Sequence, residues 1–128
     1  MKLRVRGNSI RLRVSPDDLA TLLRSGQVED CVSFPGGQTL RYRLEVSAGA
    51  EPRAELAGAA IVLQFPQEQV ARWACPEEVS MRAEQALADS GRLRLLVEKD
   101  FECLARRDDE DENAEALFPN PRAAADRP

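Results

Sequence analysis

The sequence contains no histidine and few aromatic residues, and these two shortages exclude several classes of function. Among 128 residues it has one Trp, one Tyr and four Phe. Without histidine there is no Ser-His-Asp triad, no imidazole general base and no imidazole ligand for a metal. The opening strands carry no aromatic side chain on which a base could stack, and the chain is acidic overall, so nucleic acid is not the expected partner.

Cysteine is scarce as well, and long apolar runs are missing. Cys31, Cys75 and Cys103 lie far apart with no CxxC pair, which indicates buried thiols and not a disulfide framework or a zinc site. No run of about 18 apolar residues is present, so no membrane-spanning helix is expected. Because the first residues do not form a secretory signal, the predicted location is the cytoplasm. Neither a Walker loop nor a GxGxxG motif occurs.

Charge is distributed unevenly along the chain. Residues 1–43 hold 8 Lys/Arg and 4 Asp/Glu, whereas residues 98–128 hold 5 and 10, and the net charge of the whole chain is −4. A basic region inside an acidic protein commonly pairs with carboxylates of the same chain. The question is therefore which carboxylates face the basic opening segment.

The opening segment, MKLRVRGNSIRLRV, has the alternation of a β-hairpin at residues 2–6 and 9–14. Gly7 and Asn8 suit a two-residue type II′ turn. That register places Arg4 opposite Arg11 and Lys2 opposite Arg13, and like charges directly opposite each other are unfavourable by up to about 1 kcal/mol per pair. A neighbouring carboxylate or a bound anion would reverse the sign.

The remaining pattern predicts an α+β fold. A helix is expected from Pro16 to Ser25, capped by Ser15 and ended by Gly26, and a second short helix follows Pro66. Strands alternate with these helices, so the prediction is an antiparallel sheet of about six strands, open or closed like a barrel, with the two helices inserted between hairpins. The sequence shows no internal repeat. Residues 1–105 form the predicted single domain, and residues 106–128 form an acidic, mostly disordered tail.

Two stretches resemble the ends of a family of small uncharacterised bacterial proteins. The first is MKLRVRGNSIRLRV, of the type MKLRxRGNSxRLR, and the second is EKDFECL followed by an acidic segment and FPNP. An FPGG turn lies between them. The family has no established activity, so the resemblance implies a bacterial, cytoplasmic protein and no particular chemistry. It also indicates that residues 118–121 belong to the protein.

The candidate site is an anion-binding set on the opening strands. Guanidinium groups bind phosphate or carboxylate in a bidentate manner. Residues Arg41 and Arg43 are possible additions, and Lys99 would fall on the apolar face of the last strand unless a bulge turned it outward. The predicted set is Arg4, Arg6, Arg11, Arg13 and Lys99. The alternative to a ligand is a solvated sheet face neutralised by the protein's own carboxylates.

A second candidate is a carboxylate row on the last strand, formed by Glu98, Asp100 and Glu102. Alternate residues of a strand project on one side about 6–7 Å apart, which suits a divalent cation such as magnesium. Cross-strand neutralisation is the competing interpretation, and we favour it. The acidic run from Asp108 to Glu112 either solubilises the chain or folds back on the basic face.

Three hypotheses about function follow. The preferred one is a non-enzymatic binding or interaction domain without a cofactor, whose basic sheet face meets a small anionic ligand or an acidic protein surface. The alternative is a metal-dependent enzyme acting on a phosphorylated or polyanionic small molecule in a tunnel-like sheet. The third is a structural or oligomeric domain in which the two charge sets neutralise each other.

Overall fold

The computed structural model describes residues 1–101 and 118–119 of the chain. Over these residues the chain forms eight strands, two α-helices and one 3₁₀ turn at Pro35–Gly37. The elements are β1 Lys2–Arg6, β2 Ser9–Val14, α1 Pro16–Ser25, β3 Gln27–Ser33, β4 Thr39–Ser47, β5 Arg53–Ala57, β6 Ala60–Pro66, α2 Gln67–Trp73, β7 Ser80–Ala86 and β8 Arg92–Lys99.

The strands divide between two four-stranded sheets. Sheet A has the order β1-β2-β8-β7, and sheet B has the order β3-β4-β6-β5. In each sheet two hairpins meet through their second strands, and these central strands, β2 with β8 and β4 with β6, run parallel. The predicted α+β class with two helices is therefore confirmed. The prediction of one antiparallel sheet of about six strands is wrong, because each helix carries the chain to the other sheet, and in each sheet the two hairpins join through a parallel pair.

A ββαββ unit occurs twice, although the sequence shows no repeat. Each sheet contains the first hairpin of one unit and the second hairpin of the other. The registers match: Lys2 pairs with Arg13 in the first unit, and Arg53 pairs with Gln64 at the equivalent position in the second. Bonds between hairpins match too, since Arg94 N donates to Asn8 O at 3.0 Å and Arg41 N donates to Ala59 O at 2.9 Å. Equivalent positions in the two sheets can therefore be compared residue by residue.

One apolar core lies between the two sheets and includes both helices. Alternation along each strand sends every second residue inward, as the burial of Leu12 and Val14 on β2 and of Leu95 and Val97 on β8 shows. Leu22 of α1 and Trp73 of α2 join the same cluster. The side chains of opposite parity point to the outer faces of the sheets. The alternating charged residues of β1, β2 and β4 lie on those outer faces.

The predicted start and end of α1 are confirmed. Ser15 Oγ accepts a hydrogen bond from Asp18 N at 3.1 Å, and Asp18 Oδ2 accepts one from Ser15 N at 3.1 Å, which is a capping box. Gly26 ends the helix with φ 81°, a conformation that suits glycine. The Met1 amino group lies 3.0 Å from Asp18 Oδ2 and 3.3 Å from Asp30 Oδ2. The N-terminus therefore links α1 to the edge strand of sheet B.

Stability should fall at both ends of the pH range because of this ion cluster. Burial alone would lower the pKa of the Met1 amino group, but the hydrogen bonds and charges of Asp18 and Asp30 outweigh it and hold the pKa above its ordinary 8.0. Burial alone would raise the pKa of Asp18, but hydrogen bonds from the Met1 amino group and Ser15 hold it below 3.8. A raised amine pKa contributes stability that disappears as the pH rises through the folded-state value. A lowered carboxyl pKa contributes stability that disappears as the pH falls through the folded-state value.

Urea denaturation across the pH range checks this expectation. Acetylating the Met1 amino group should flatten the alkaline limb of the stability profile. The Asp18→Asn variant should reduce the acid limb and should also weaken the alkaline limb, because the amine loses one of its two carboxylates. An unchanged profile in both modified proteins would contradict the contribution assigned to the cluster.

Candidate functional site

The outer face of sheet A carries most of the predicted anion-binding residues, and we call it the basic face. The register of β1 and β2 is the predicted one, with Arg4 opposite Arg11 and Lys2 opposite Arg13. Strands β7 and β8 extend the same surface with further cations. The basic face includes eight Lys/Arg residues, which are Lys2, Arg4, Arg6, Arg11, Arg13, Arg82, Arg92 and Arg94.

Glu98 supplies a counter-charge at the centre of this face. It lies beside Arg13 in the parallel pairing of β2 with β8. Glu98 Oε1 is 2.7 Å from Arg11 Nη2 and 2.8 Å from Arg13 Nε. Its residue exposure is 9%, which is low for an outer face, and the side chains of Arg11 and Arg13 are 13% and 22% exposed. One carboxylate thus offsets two guanidinium groups in a partly desolvated position, where ion pairs are screened less by water.

Two further carboxylates lie at the margins of the basic face. Asp100 Oδ2 is 2.9 Å from Lys2 Nζ, just beyond the end of β8. Glu84 on β7 pairs with Arg92 at 2.9 Å. The side chains of Lys2, Glu84 and Arg92 are half-exposed or more, whereas that of Asp100 is 26% exposed. With Glu98 they make three carboxylates against eight cations. The closing strand therefore does face the basic hairpin, as the charge pattern predicts, and among the described residues the cations on this surface outnumber the carboxylates.

Sheet B shows that this excess does not come from the strand architecture. The central row across the basic face consists of Arg4, Arg11, Leu96 and Arg82 on successive strands. The equivalent row of sheet B consists of Glu55, Val62, Arg43 and Glu29. The charged residues on the outer face of sheet B are balanced, three of each sign, and they are Glu29, Arg41, Arg43, Glu45, Arg53 and Glu55. The same topology carries a neutral surface on one sheet and a basic surface on the other.

Arg41 and Arg43, which the sequence suggested as additions to the site, belong to that neutral surface. Arg41 Nη1 and Arg43 Nη1 lie 3.0 Å and 3.1 Å from the carboxylate oxygens of Glu29. Arg43 Nε also lies 2.9 Å from Glu45 Oε2. The suggestion is therefore wrong, because β4 lies in sheet B.

Lys99 lies on the inner side of β8 and has a structural environment. The pairing of β8 with β2 continues through Lys99 opposite Val14, so the strand does not bulge there. Lys99 Nζ donates to the carbonyl oxygens of Cys75 and Glu78, both at 2.7 Å, and lies 5.9 Å from the Trp73 ring centroid. The structure thus directs this amine to the turn after α2 and away from the basic face.

The metal alternative is only partly within the described chain. Glu98 and Asp100 both contact cations of the basic face, and Glu102 lies outside the described residues. Within residues 1–101 and 118–119, no group of three His, Cys, Asp or Glu side chains gathers in a way that could hold a metal ion. The space between the sheets is filled by core side chains such as Leu44, Leu63 and Phe65, so the charged sets do not meet in a tunnel.

Several other expectations can be compared with the structure. The prediction of buried thiols is wrong for Cys31 and Cys75, which are exposed and unbridged, because Cys31 lies on the outer side of an edge strand; Cys103 lies outside the described residues. The predicted domain end at residue 105 and the acidic run from Asp108 to Glu112 also lie outside them. Sequence reasoning missed Arg82, Arg92 and Arg94. Their alternation along β7 and β8 is visible in the sequence, but the sequence does not show that these strands join the sheet of β1 and β2.

Comparison with known proteins adds the family. No helix in the described part of the chain is long and apolar enough to cross a membrane. No curated protein and no solved structure matches the chain. The model of one protein family, described as a family of unknown function (DUF7009), matches residues 1–122. Since that match spans nearly the whole sequence, the chain belongs to the family of unknown function DUF7009.

Proposed function

We propose that this protein is a non-enzymatic binding module whose basic face takes an anionic ligand or an acidic protein surface. The observation that carries the proposal is the contrast between the two outer faces. Among residues 1–101, sheet A presents eight cations and three carboxylates, whereas sheet B, built with the same topology and register, presents three of each.

The net charge of residues 1–101 does not account for the contrast between the two outer faces. Residues 1–101 contain 14 Lys/Arg and 14 Asp/Glu, so the part of the chain that forms both sheets is neutral. Within these residues the excess of cations on sheet A is therefore matched by carboxylates that lie elsewhere in the fold. A surface on which cations are concentrated attracts an approaching anion.

The chemistry of the surface suits phosphate or carboxylate groups. Seven of the eight cations are arginines, whose planar guanidinium groups form paired hydrogen bonds with such anions. Arg4 and Arg11 lie directly opposite each other, as do Lys2 and Arg13. An anion bound beside these pairs would offset the repulsion within them.

Thermal shift and calorimetric titration with a short polyphosphate test the proposal. At about ten times Kd the ligand should stabilise the protein by about 1.4 kcal/mol, which raises Tm by about 5–7 °C for a domain of this size. The double variant Arg4→Gln with Arg6→Gln should weaken binding about ten-fold or more. Raising the salt concentration to about 0.5 M should also weaken it, because the Debye length becomes short.

A matched control removes two arginines from the neutral outer face. Arg41→Gln with Arg53→Gln makes the same change in net charge, so it should leave the affinity for polyphosphate within about two-fold of the wild type. If neither polyphosphate nor acidic peptides bind, and stability only falls with salt, the basic face is a structural ion-pair surface and the proposed function is wrong. Equal losses in both double variants would also contradict it, since binding would then follow net charge alone.

A further inference from the structure

We propose that this chain is a fused twofold dimer, and that its two halves can also pair between two copies of the chain. Unit 1 is the first ββαββ unit, residues 2–47, and unit 2 is the second, residues 53–99. Each sheet takes one hairpin from each unit. The interaction surface is therefore the one along which the two units meet, and its partner is a second copy of this chain. The inference does not depend on what the basic face binds.

The two units correspond residue by residue. Lys2 of β1 has the position of Arg53 on β5, and this offset of 51 residues holds through both hairpins and into the buried side of both helices, as far as Leu22. From Val28, which has the position of Met81, the offset is 53 residues and holds to the end of β4. The units therefore differ in length by only two residues, which fall in the connection between the helix and the next strand.

The turns of the two units share their backbone conformation. Gly7 and Gly58, at equivalent turns, have φ 53° and 59°. In the second hairpins Gly37 has φ 76°, and Ser90, at the equivalent position, has φ 68°. A side chain other than glycine rarely adopts this conformation. Its presence at Ser90 is explained if both hairpins descend from one hairpin with glycine at this position.

The surface between the units has the symmetry of a twofold dimer interface. In such an interface each contact occurs twice, with the roles of the two partners exchanged. Here β2 of unit 1 pairs with β8 of unit 2, and β6 of unit 2 pairs with β4 of unit 1. Arg13 Nε donates to Glu98 Oε1 at 2.8 Å across the first pair, and Gln64 Nε2 donates to Glu45 Oε1 at 2.9 Å across the second. The same two positions thus join the units on both sheets.

Each unit needs the other to complete its sheets and its core. A unit supplies only one hairpin to each sheet, and a two-stranded hairpin alone is marginally stable in water. Leu12 of unit 1 and Leu63 of unit 2 have equivalent positions, are both 0% exposed and belong to one apolar cluster. Folding and the pairing of the units are therefore one event. The contacts that pair them are the same whether the units belong to one chain or to two.

The linker between the units decides which of these two pairings occurs. Residues 48–52 form the linker, and residues 48–51 are exposed. The linker passes the end of β6, because Ser47 lies opposite Pro66 on one side of that strand and Arg53 lies opposite Gln64 on the other. Two strand spacings are about 10 Å. The linker of this chain can reach about 20 Å, whereas a single linker residue reaches only about 7 Å.

Deleting residues 49–52 from the full-length chain tests the inference. The remaining linker is too short to let both units of one chain pair with each other, so they should pair with the units of a second copy. Light scattering should show twice the assembled mass of the parent protein, with an unchanged circular dichroism spectrum. Replacing residues 49–52 with four glycine and serine residues is the matched control and should keep the parent's mass. A folded deletion variant with the parent's mass would overturn the inference.

Complementation between two full-length variants decides the question if the deletion variant does not fold. Leu12→Asp and Leu63→Asp each place a charge in the core, one in each unit, so each variant alone should be unfolded. Refolded together in equal amounts, they should form a complex of two chains with about half of the parent's ellipticity, because the intact unit 1 of one chain pairs with the intact unit 2 of the other.

The matched control for complementation mixes two variants of the same unit. Leu12→Asp and Val14→Asp both disrupt unit 1, so their mixture should remain unfolded. A mixture of Leu12→Asp with Leu63→Asp that is no more structured than its two components would overturn pairing between copies. Equal recovery in the control mixture would overturn it as well, since the recovery would then not require one intact copy of each unit.

Discussion

Replacing Glu98 with alanine is expected to lower the free energy of unfolding by about 3–5 kcal/mol. Glu98 contacts Arg11 and Arg13, whose side chains are only 13% and 22% exposed. Removing the carboxylate takes away a counter-charge that these two poorly hydrated guanidinium groups share, while Arg4 and Lys2 lie directly opposite them. Because small domains are stable by about 5–15 kcal/mol in total, the variant should be only marginally folded. Urea denaturation followed by circular dichroism measures the change.

A matched variant on the same face separates burial from charge. Glu84 is 48% exposed and pairs with Arg92, which is 69% exposed, so Glu84→Ala should cost less than about 1 kcal/mol. Equal costs for Glu98→Ala and Glu84→Ala would show that Glu98 is not the counter-charge that holds β8 against β2.

Replacing Trp73 with alanine should have an effect of similar size, about 3–5 kcal/mol, for a different reason. Trp73 is 1% exposed, and its Nε1–H donates to the Val79 carbonyl oxygen at 3.1 Å. Lys99 Nζ lies 5.9 Å from the ring centroid. The substitution therefore opens a cavity in the shared core and removes the indole ring beside which the Lys99 amine lies.

The variant Trp73→Phe keeps most of the buried ring and loses the indole N–H. It should cost about 1–3 kcal/mol, since the lost transfer free energy is smaller and one carbonyl loses its donor. Leu56→Ala, at a side chain that is 74% exposed, should change the free energy of unfolding by less than about 0.5 kcal/mol. If Trp73→Ala were no more destabilising than Leu56→Ala, the α2 side of the core would not be packed as described.

Local structure was predictable from the sequence where short-range chemistry determines it. Ser15, Pro16 and Gly26 define α1, and the turn at Gly7 fixes the register of β1 with β2. The pattern of acid residues on the closing strand also indicated the counter-charge, and Glu98 does contact the basic hairpin. Each of these features depends on residues within one element, on one short turn, or on the attraction between opposite charges.

Long-range pairing was not predictable in the same way. The parallel contact of β2 with β8 leaves no signal in either strand, because alternation fixes only which side chains share a face. The repeated ββαββ unit is hidden since equivalent outer residues differ in charge, as Arg4 and Glu55 do. For Lys99 the alternation left two outcomes open, a bulge or an inward side chain, and the carbonyls of Cys75 and Glu78 favour the second.

The opening stretch and the first residues of the closing stretch lie side by side in the fold. MKLRVRGNSIRLRV forms β1 and β2, and β8, the strand next to β2, ends with Glu98 and Lys99 of the EKD segment. The basic hairpin and the Glu98 counter-charge are therefore adjacent.

Two-dimensional NMR of the full-length chain, titrated with short polyphosphate, tests the binding role of the basic face most directly. We expect the largest backbone shift changes on β1, β2, β7 and β8, and we expect these changes to saturate and to be reversed by salt. The amides of sheet B should change little, because the carboxylates of its outer face balance its arginines. Changes spread equally over both sheets, or none at millimolar ligand, would contradict an anion-binding surface on sheet A.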